Sequence, residues 1–186
     1  MENIPLYLKG KVLREIRKER GLKIEDLADE NISVATISNI ELGVRHVSEK
    51  MILYYAEKLG KKEEFLGMLS DAKREEEEMI ERLIDIEETI MIDEEEALKK
   101  LKEIDVPKIS PLAPFVYYLY GQIYFNDRKK WIKAEKSFQK AIKLYDKRPD
   151  LYQLNIKSVC LNELGRLAYY KNQIRKALEY TEEGLN

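Results

Sequence analysis

From Leu8 onward the apolar residues recur at helical spacing: Leu8, Val12, Leu13 and Ile16 share one side, and Gly21 follows as a helix terminator. Lys9, Lys11, Arg14, Lys18 and Arg20 form the opposite face, which is either plainly solvated or able to lie along a phosphate backbone. A second helix is expected from Ile24 to about Glu30, with Leu27 and Ala28 inward and Glu25 and Asp26 at the positive end of its dipole. Ser33 is a good N-cap for a third helix that turns Ile37 and Ile40 inward and Val34, Ala35, Ser38 and Asn39 outward. Gly43 ends it. Ser48 caps a fourth helix with Ile52, Leu53, Ala56 and Leu59 inward, and Gly60 precedes a short fifth holding Phe65 and Leu69. Five helices in about sixty residues make a compact bundle.

Beyond residue 70 the pattern changes. Met79, Ile80, Leu83, Ile84 and Ile86 draw an apolar stripe along a densely acidic helix over residues 71–90, read as a linker. A helix from Glu94 to Ile104 carries Ala97, Leu98, Leu101 and Ile104 inward, and Pro107, Pro111 and Pro114 punctuate the loop after it. Then a repeat appears. Tyr117, Tyr120, Gly121 and Tyr124 precede Ala134, Phe138 and Ala141; about 44 residues on, Leu161, Leu164, Gly165 and Ala168 precede Ala177, Thr181 and Gly184. Residues 71–105, with Ala97 in the matching place, read as a degenerate first unit, so about two and a half to three units are visible. A stacked array needs its last helix covered, and the expectation is that a further segment or a second subunit does so.

Composition agrees with helices throughout: 37% of the 186 residues are charged and 44% hydrophobic, with 8 Gly and 5 Pro, so the expected fold class is all-α. The net charge of −2 conceals three blocks. Residues 1–70 balance 12 Lys/Arg against 12 Asp/Glu, residues 71–105 carry 6 against 15, and residues 106–186 carry 15 against 8. Only the local field within about 10 Å matters to a charged partner at ordinary salt. The lone Cys160 excludes a disulfide framework and fits a reducing compartment, where it serves as a small buried hydrophobe. One histidine, His46, beside one thiol gives no credible metal-ligand set, and no cofactor is expected. There is no basic-then-apolar leader, and the most apolar run, Leu112 to Tyr120, is far shorter than the roughly 20 residues a membrane span needs. A soluble cytoplasmic protein is expected. No phosphate loop, no nucleophile with a base and no distinct carboxylate pair points to an enzyme.

The turn through Asn31 and Ile32 between the second and third helices has helix-turn-helix spacing. The run LREIRKERGLKIEDLADENISVATISNIELG resembles the DNA-binding domain of the Xre/Cro-like repressor family, with an Arg in the first helix, a Gly-Leu turn, a Leu-Ala pair and an Ile-Ser-x-Ile-Glu-x-Gly close. The resemblance covers roughly residues 8–70. It implies that Arg17 and Glu41 form an internal salt bridge orienting the recognition helix, and that Val34, Ala35, Ser38 and Asn39 face bases. Asn39 would bond an adenine edge, while Val34 and Ala35 would meet thymine methyls. Ser33, Thr36 and Arg45 suit phosphate contacts. Lys23 and Ile24 stand where the family has Thr-Gln, so the usual cap is missing and Lys23 replaces a polar backbone contact electrostatically.

The later units resemble the tetratricopeptide repeat, in which small residues let two antiparallel helices approach; the period here exceeds the usual 34 or so. The two together, a helix-turn-helix domain over 1–70 and repeats over 71–186, resemble the RRNPP (Rgg-like) family of peptide-responsive quorum-sensing regulators. That resemblance implies a homodimeric regulator of transcription that binds double-stranded DNA and a short signalling peptide or protein. Tyr117, Tyr118, Tyr120, Tyr124, Tyr152, Tyr169 and Tyr170, with Asn126, Arg128, Asn155 and Asn162, either line a peptide groove or pack the repeats, the latter being commoner for aromatics at helical spacing. The alternative function is a protein–protein adaptor whose repeats dock a partner while DNA binding is weak or lost.

Overall fold

The computed structural model describes residues 4–43, 47–106, 110–147 and 155–185. Among them the regular structure is helical throughout: α1 (Leu6–Glu19), α2 (Val34–Glu41), α3 (Glu49–Lys58), α4 (Lys62–Ile90), α5 (Glu94–Lys102), α6 (Ala113–Phe125), α7 (Trp131–Tyr145), α8 (Ile156–Tyr170) and α9 (Ile174–Leu185), with 3-10 turns at Glu25–Leu27 and Arg128–Lys130. The chain is all-α as its composition requires. It gathers into two compact units, Met1–Met79 and Ile80–Asn186.

In the first unit one core joins α1, the 3-10 turn, α2, α3 and the start of α4. Val12, Leu13 and Ile16 meet Leu27, Ile37, Ile40, Ile52, Leu59, Phe65 and Leu69 there. Two expectations about local structure need correcting. The second helix does not run from Ile24 to about Glu30; it is a single 3-10 turn. The cause is Asp29, whose Oδ1 accepts from the backbone N–H of Asn31 at 2.8 Å and of Ile32 at 2.9 Å, bending the chain into an extended Ala28 and away from helix. Nor is the fifth helix short: α4 continues 29 residues, absorbing the expected acidic linker helix. Gly67 alone costs a helix only about 1 kcal/mol, no proline intervenes, and Lys73–Glu77 and Arg74–Glu78 pairs one turn apart support the acidic stretch.

The second unit begins along α4, where Leu83, Ile86 and Ile90 are buried while Ile84 stays exposed. Ala97 and Leu101 bury the inner side of α5. Pro114 is not in the loop but in the first turn of α6, where its missing N–H costs nothing. Short connections make α6–α7 and α8–α9 antiparallel hairpins, and each hairpin closes on a glycine. A Cβ at Gly121 would overlap the Phe138 ring, and one at Gly165 would sit 3.2 Å from Thr181 Oγ1. Ala134, Phe138 and Ala141 are fully buried across from Gly121. Cys160 is free and buried, its thiol pushed up to about 12 by burial and then by Glu163. No helix is long and apolar enough to cross a membrane among the described residues.

Candidate nucleic-acid interface

α2 starts at Ser33 because an extended backbone there lets its hydroxyl accept from the Thr36 N–H at 3.1 Å. The same hydroxyl lies 2.9 Å from Thr36 Oγ1. Ile37 and Ile40 have no exposed surface, so the opposite side of α2 is turned to solvent. Val34 is 41% exposed, Ala35 and Asn39 are exposed, and Ser38 is half-buried beside them. The four candidate base-reading residues therefore form one accessible strip.

Behind that strip the helix is held by directional bonds. Arg17 Nε and Nη2 donate to Glu41 Oε1 and Oε2 at 2.6 and 2.9 Å, its Nη1 donates to the Leu22 carbonyl at 2.8 Å, and Tyr55 Oη donates to Glu41 Oε1 at 2.7 Å. The Glu41 side chain is 5% exposed and that of Arg17 12%, so this bidentate pair is largely desolvated. The Glu41 hydrogen bond raises the guanidinium pKa further, and burial, then Glu41, keeps the Tyr55 hydroxyl protonated. Steric fit completes the attachment. A Cβ at Gly10 of α1 would overlap the Ile40 carbonyl, and Gly43, at φ 67°, leaves α2 in a conformation that only glycine takes without strain, against the Tyr7 backbone.

The turn ahead of α2 is tied to α3 by Asp29. Its Oδ2 accepts from Tyr54 Oη at 2.7 Å and Lys58 Nζ at 2.5 Å, besides the two backbone bonds of its other oxygen. The Lys58 and Tyr54 bonds hold this carboxyl well below the usual carboxylate range. Asp29, Tyr54, Tyr55 and Lys58 went unnoticed in the sequence. The only signal was a polar-capable Tyr-Tyr-x-x-Lys run on an otherwise apolar helix face, which reads as packing.

The remaining candidates separate. The Lys23 side chain is exposed at the mouth of the 3-10 turn, while its backbone N–H donates to Asp26 at 2.8 Å. Lys9 does not belong to the solvated basic face: it is 8% exposed and reaches Glu49 at 3.3 Å. Arg20 donates to the Leu59 carbonyl. Lys11 and Lys18 remain exposed, and Arg45, His46, Pro107 and Tyr152 lie outside the described residues.

In the second unit, Tyr117, Tyr120 and Tyr124 form a half-buried row on α6 with ring centroids 6.4 and 6.1 Å apart. Two of the three asparagines make bonds of their own. Asn126 donates to Glu94 at 2.8 Å, Asn155 caps α8 by accepting from the Ser158 N–H, and Asn162 is exposed on α8. Tyr118 donates to Glu87 at 3.0 Å, and Tyr170 stacks on Trp131 at 6.2 Å.

An exposed helix with a buried back, seated by a turn and two supporting helices, defines a helix-turn-helix domain of the DNA-binding regulatory class. Residues 13–66 match the helix-turn-helix family model. No curated protein and no solved structure matches the chain.

Proposed function

We propose that this protein is a sequence-specific regulator of transcription that binds double-stranded DNA as a homodimer, reading base edges with Val34, Ala35, Ser38 and Asn39. Lys23, Ser33, Thr36 and Arg45 contact phosphates in this reading; the Ser33 oxygen accepts from the Thr36 N–H, and its O–H can still donate. The supporting observation is that α2 keeps these four side chains accessible while Arg17, Glu41 and Tyr55 fix the helix from behind. A helix held this way meets a groove without paying again for its orientation. Two copies are required, because a few base contacts at about 1–3 kcal/mol each do not single out a genomic site. We read the hairpins within residues 71–186 as tetratricopeptide-like, with the Tyr117–Tyr120–Tyr124 row as the place where a short peptide or a protein effector would bear on DNA binding.

Selection of bound duplexes from a random pool by the full chain tests this. Enrichment of paired half-sites about one helical turn apart, lost at one base position in Asn39→Ala, is the expected result. A chain that enriches no sequence would instead be an adaptor.

A further inference from the structure

The outer side of α7 carries charge of one sign. Lys133, Lys136, Lys140 and Lys143 follow one another at spacings of three, four and three, which places all four within about 80° on an ideal helix, opposite buried Ala134 and Phe138. Lys129 and Lys147 flank α7 in sequence just beyond its ends. Lys133, Lys136 and Lys143 are exposed and Lys140 half-buried. None of the four has a carboxylate partner among the described residues. The nearby acids are engaged elsewhere: Glu135 with Lys171 at 2.6 Å, Asp127 with Lys130 at 3.1 Å, and Asp146 with Lys157 at 2.9 Å. Two of the lysines instead sit over ring faces, Lys133 on Tyr124 at 5.7 Å and Lys140 on Tyr117 at 5.9 Å.

Like charges one turn apart destabilise a helix. The acidic run of α4 is partly offset, since Lys73 pairs with Glu77 and Arg74 with Asp71 and Glu78. α7 keeps the repulsion. A row of one sign, uncompensated by its own chain, fits an external polyanion.

We propose that the lysine row of α7 is a second nucleic-acid contact, one that meets the phosphate backbone of duplex DNA and reads no sequence. Lysine suits this task, since it is a hydrated point charge that pairs with phosphate and is depleted from protein interfaces. Ile132 is the single large apolar side chain exposed on α7, and the neighbouring Tyr117 and Tyr124 rings are half-buried beneath Lys140 and Lys133, which leaves little bare apolar surface for the anchor cluster of a protein interface. The four residues span about 15 Å at 1.5 Å per residue, a length that several phosphates of a duplex can meet. A duplex held by the first unit is also presented to the second at raised local concentration, since both belong to one chain. The proposal rests on the DNA-binding reading given above, but concerns non-specific affinity rather than base choice.

The test compares the full chain with K133Q/K136Q/K140Q/K143Q, using fluorescence anisotropy on a duplex selected by the parent and on an unrelated duplex of equal length, across a salt series. The variant is expected to lose affinity for both duplexes by a similar factor, with the slope of log affinity against log salt falling by about 3 to 4 and the preference ratio unchanged. Lys→Arg at the same four positions should restore the slope, and circular dichroism should show the Gln variant melting no lower than the parent. An unchanged slope overturns the proposal. So does binding of polyglutamate by the parent, lost in the Gln variant, with the duplex slope unaltered, which would make the row an acidic-protein surface. Failure of the base-reading assignment looks different: the parent then shows no preference between duplexes, whatever the variant does to the slope.

Discussion

The two units solve the problem of fixing a helix by different means. In the first, α2 has only eight residues and must leave much of its surface bare, so apolar burial cannot hold it alone, and Glu41 accepts three side-chain hydrogen bonds from Arg17 and Tyr55 instead. In the second, helices of twelve to fifteen residues pair along their length, and a glycine facing an aromatic ring or a small side chain sets their approach. Directional bonds fix orientation, whereas shape packing fixes distance. A surface that must present four side chains in one attitude needs the former, and a stack of hairpins needs the latter.

Trp131, the only tryptophan, lies in the second unit, so its fluorescence reports on that unit while far-UV circular dichroism reports on both. The strongest break of the contrast is Glu41→Ala. It strands a largely desolvated guanidinium and should destabilise the first unit by about 3–5 kcal/mol, moving the circular dichroism transition but not the Trp131 midpoint. A shared shift of both signals would mean that the two units unfold as one. Gly121→Ala should do the reverse, destabilising the second unit by about 1–3 kcal/mol through overlap with Phe138 and so lowering the Trp131 midpoint. If packing is the cause, Phe138→Leu should recover part of that loss in a double-mutant cycle.

Caps allow a finer comparison, because both units use one. Ser33→Ala and Asn155→Ala should each cost about 1 kcal/mol, the first seen only in circular dichroism and the second also in Trp131 fluorescence. Equal effects of both on the Trp131 midpoint would contradict the division.

The last effect appears only with pH and concerns Glu76, half-buried on α4 beside Glu77, whose carboxyl is pushed up to about 7 by burial first and by Glu77 second. A folded value above the unfolded one of 4.5 means that the folded state holds this proton more tightly. Its favourable contribution is full below the unfolded value and is lost as pH rises through about 7. Glu76→Gln, which cannot ionise, should melt like the parent near pH 4 and a few degrees higher near pH 8. Identical melting curves at both pH values would remove the burial as a cause.

Apolar spacing and glycine placement were enough to locate most of the helices, the capping of α2 by Ser33, and the accessible strip of α2, because these depend on residues three or four apart and on local backbone chemistry. Sequence alone also singled out Gly121 and Gly165 as corresponding positions. It did not reveal that Asp29 ends the second helix, that α4 runs unbroken past residue 70, or that Lys9 and Arg20 turn away from solvent to Glu49 and the Leu59 carbonyl. Nor could it find Tyr55 on Glu41 or Tyr54 and Lys58 on Asp29. Apart from the Asp29 turn, those bonds join residues 14 to 40 positions apart, and side-chain type does not say which distant partner will come within hydrogen-bond reach. Periodicity decides which face of a helix is buried; only the folded chain decides which polar groups meet across that face.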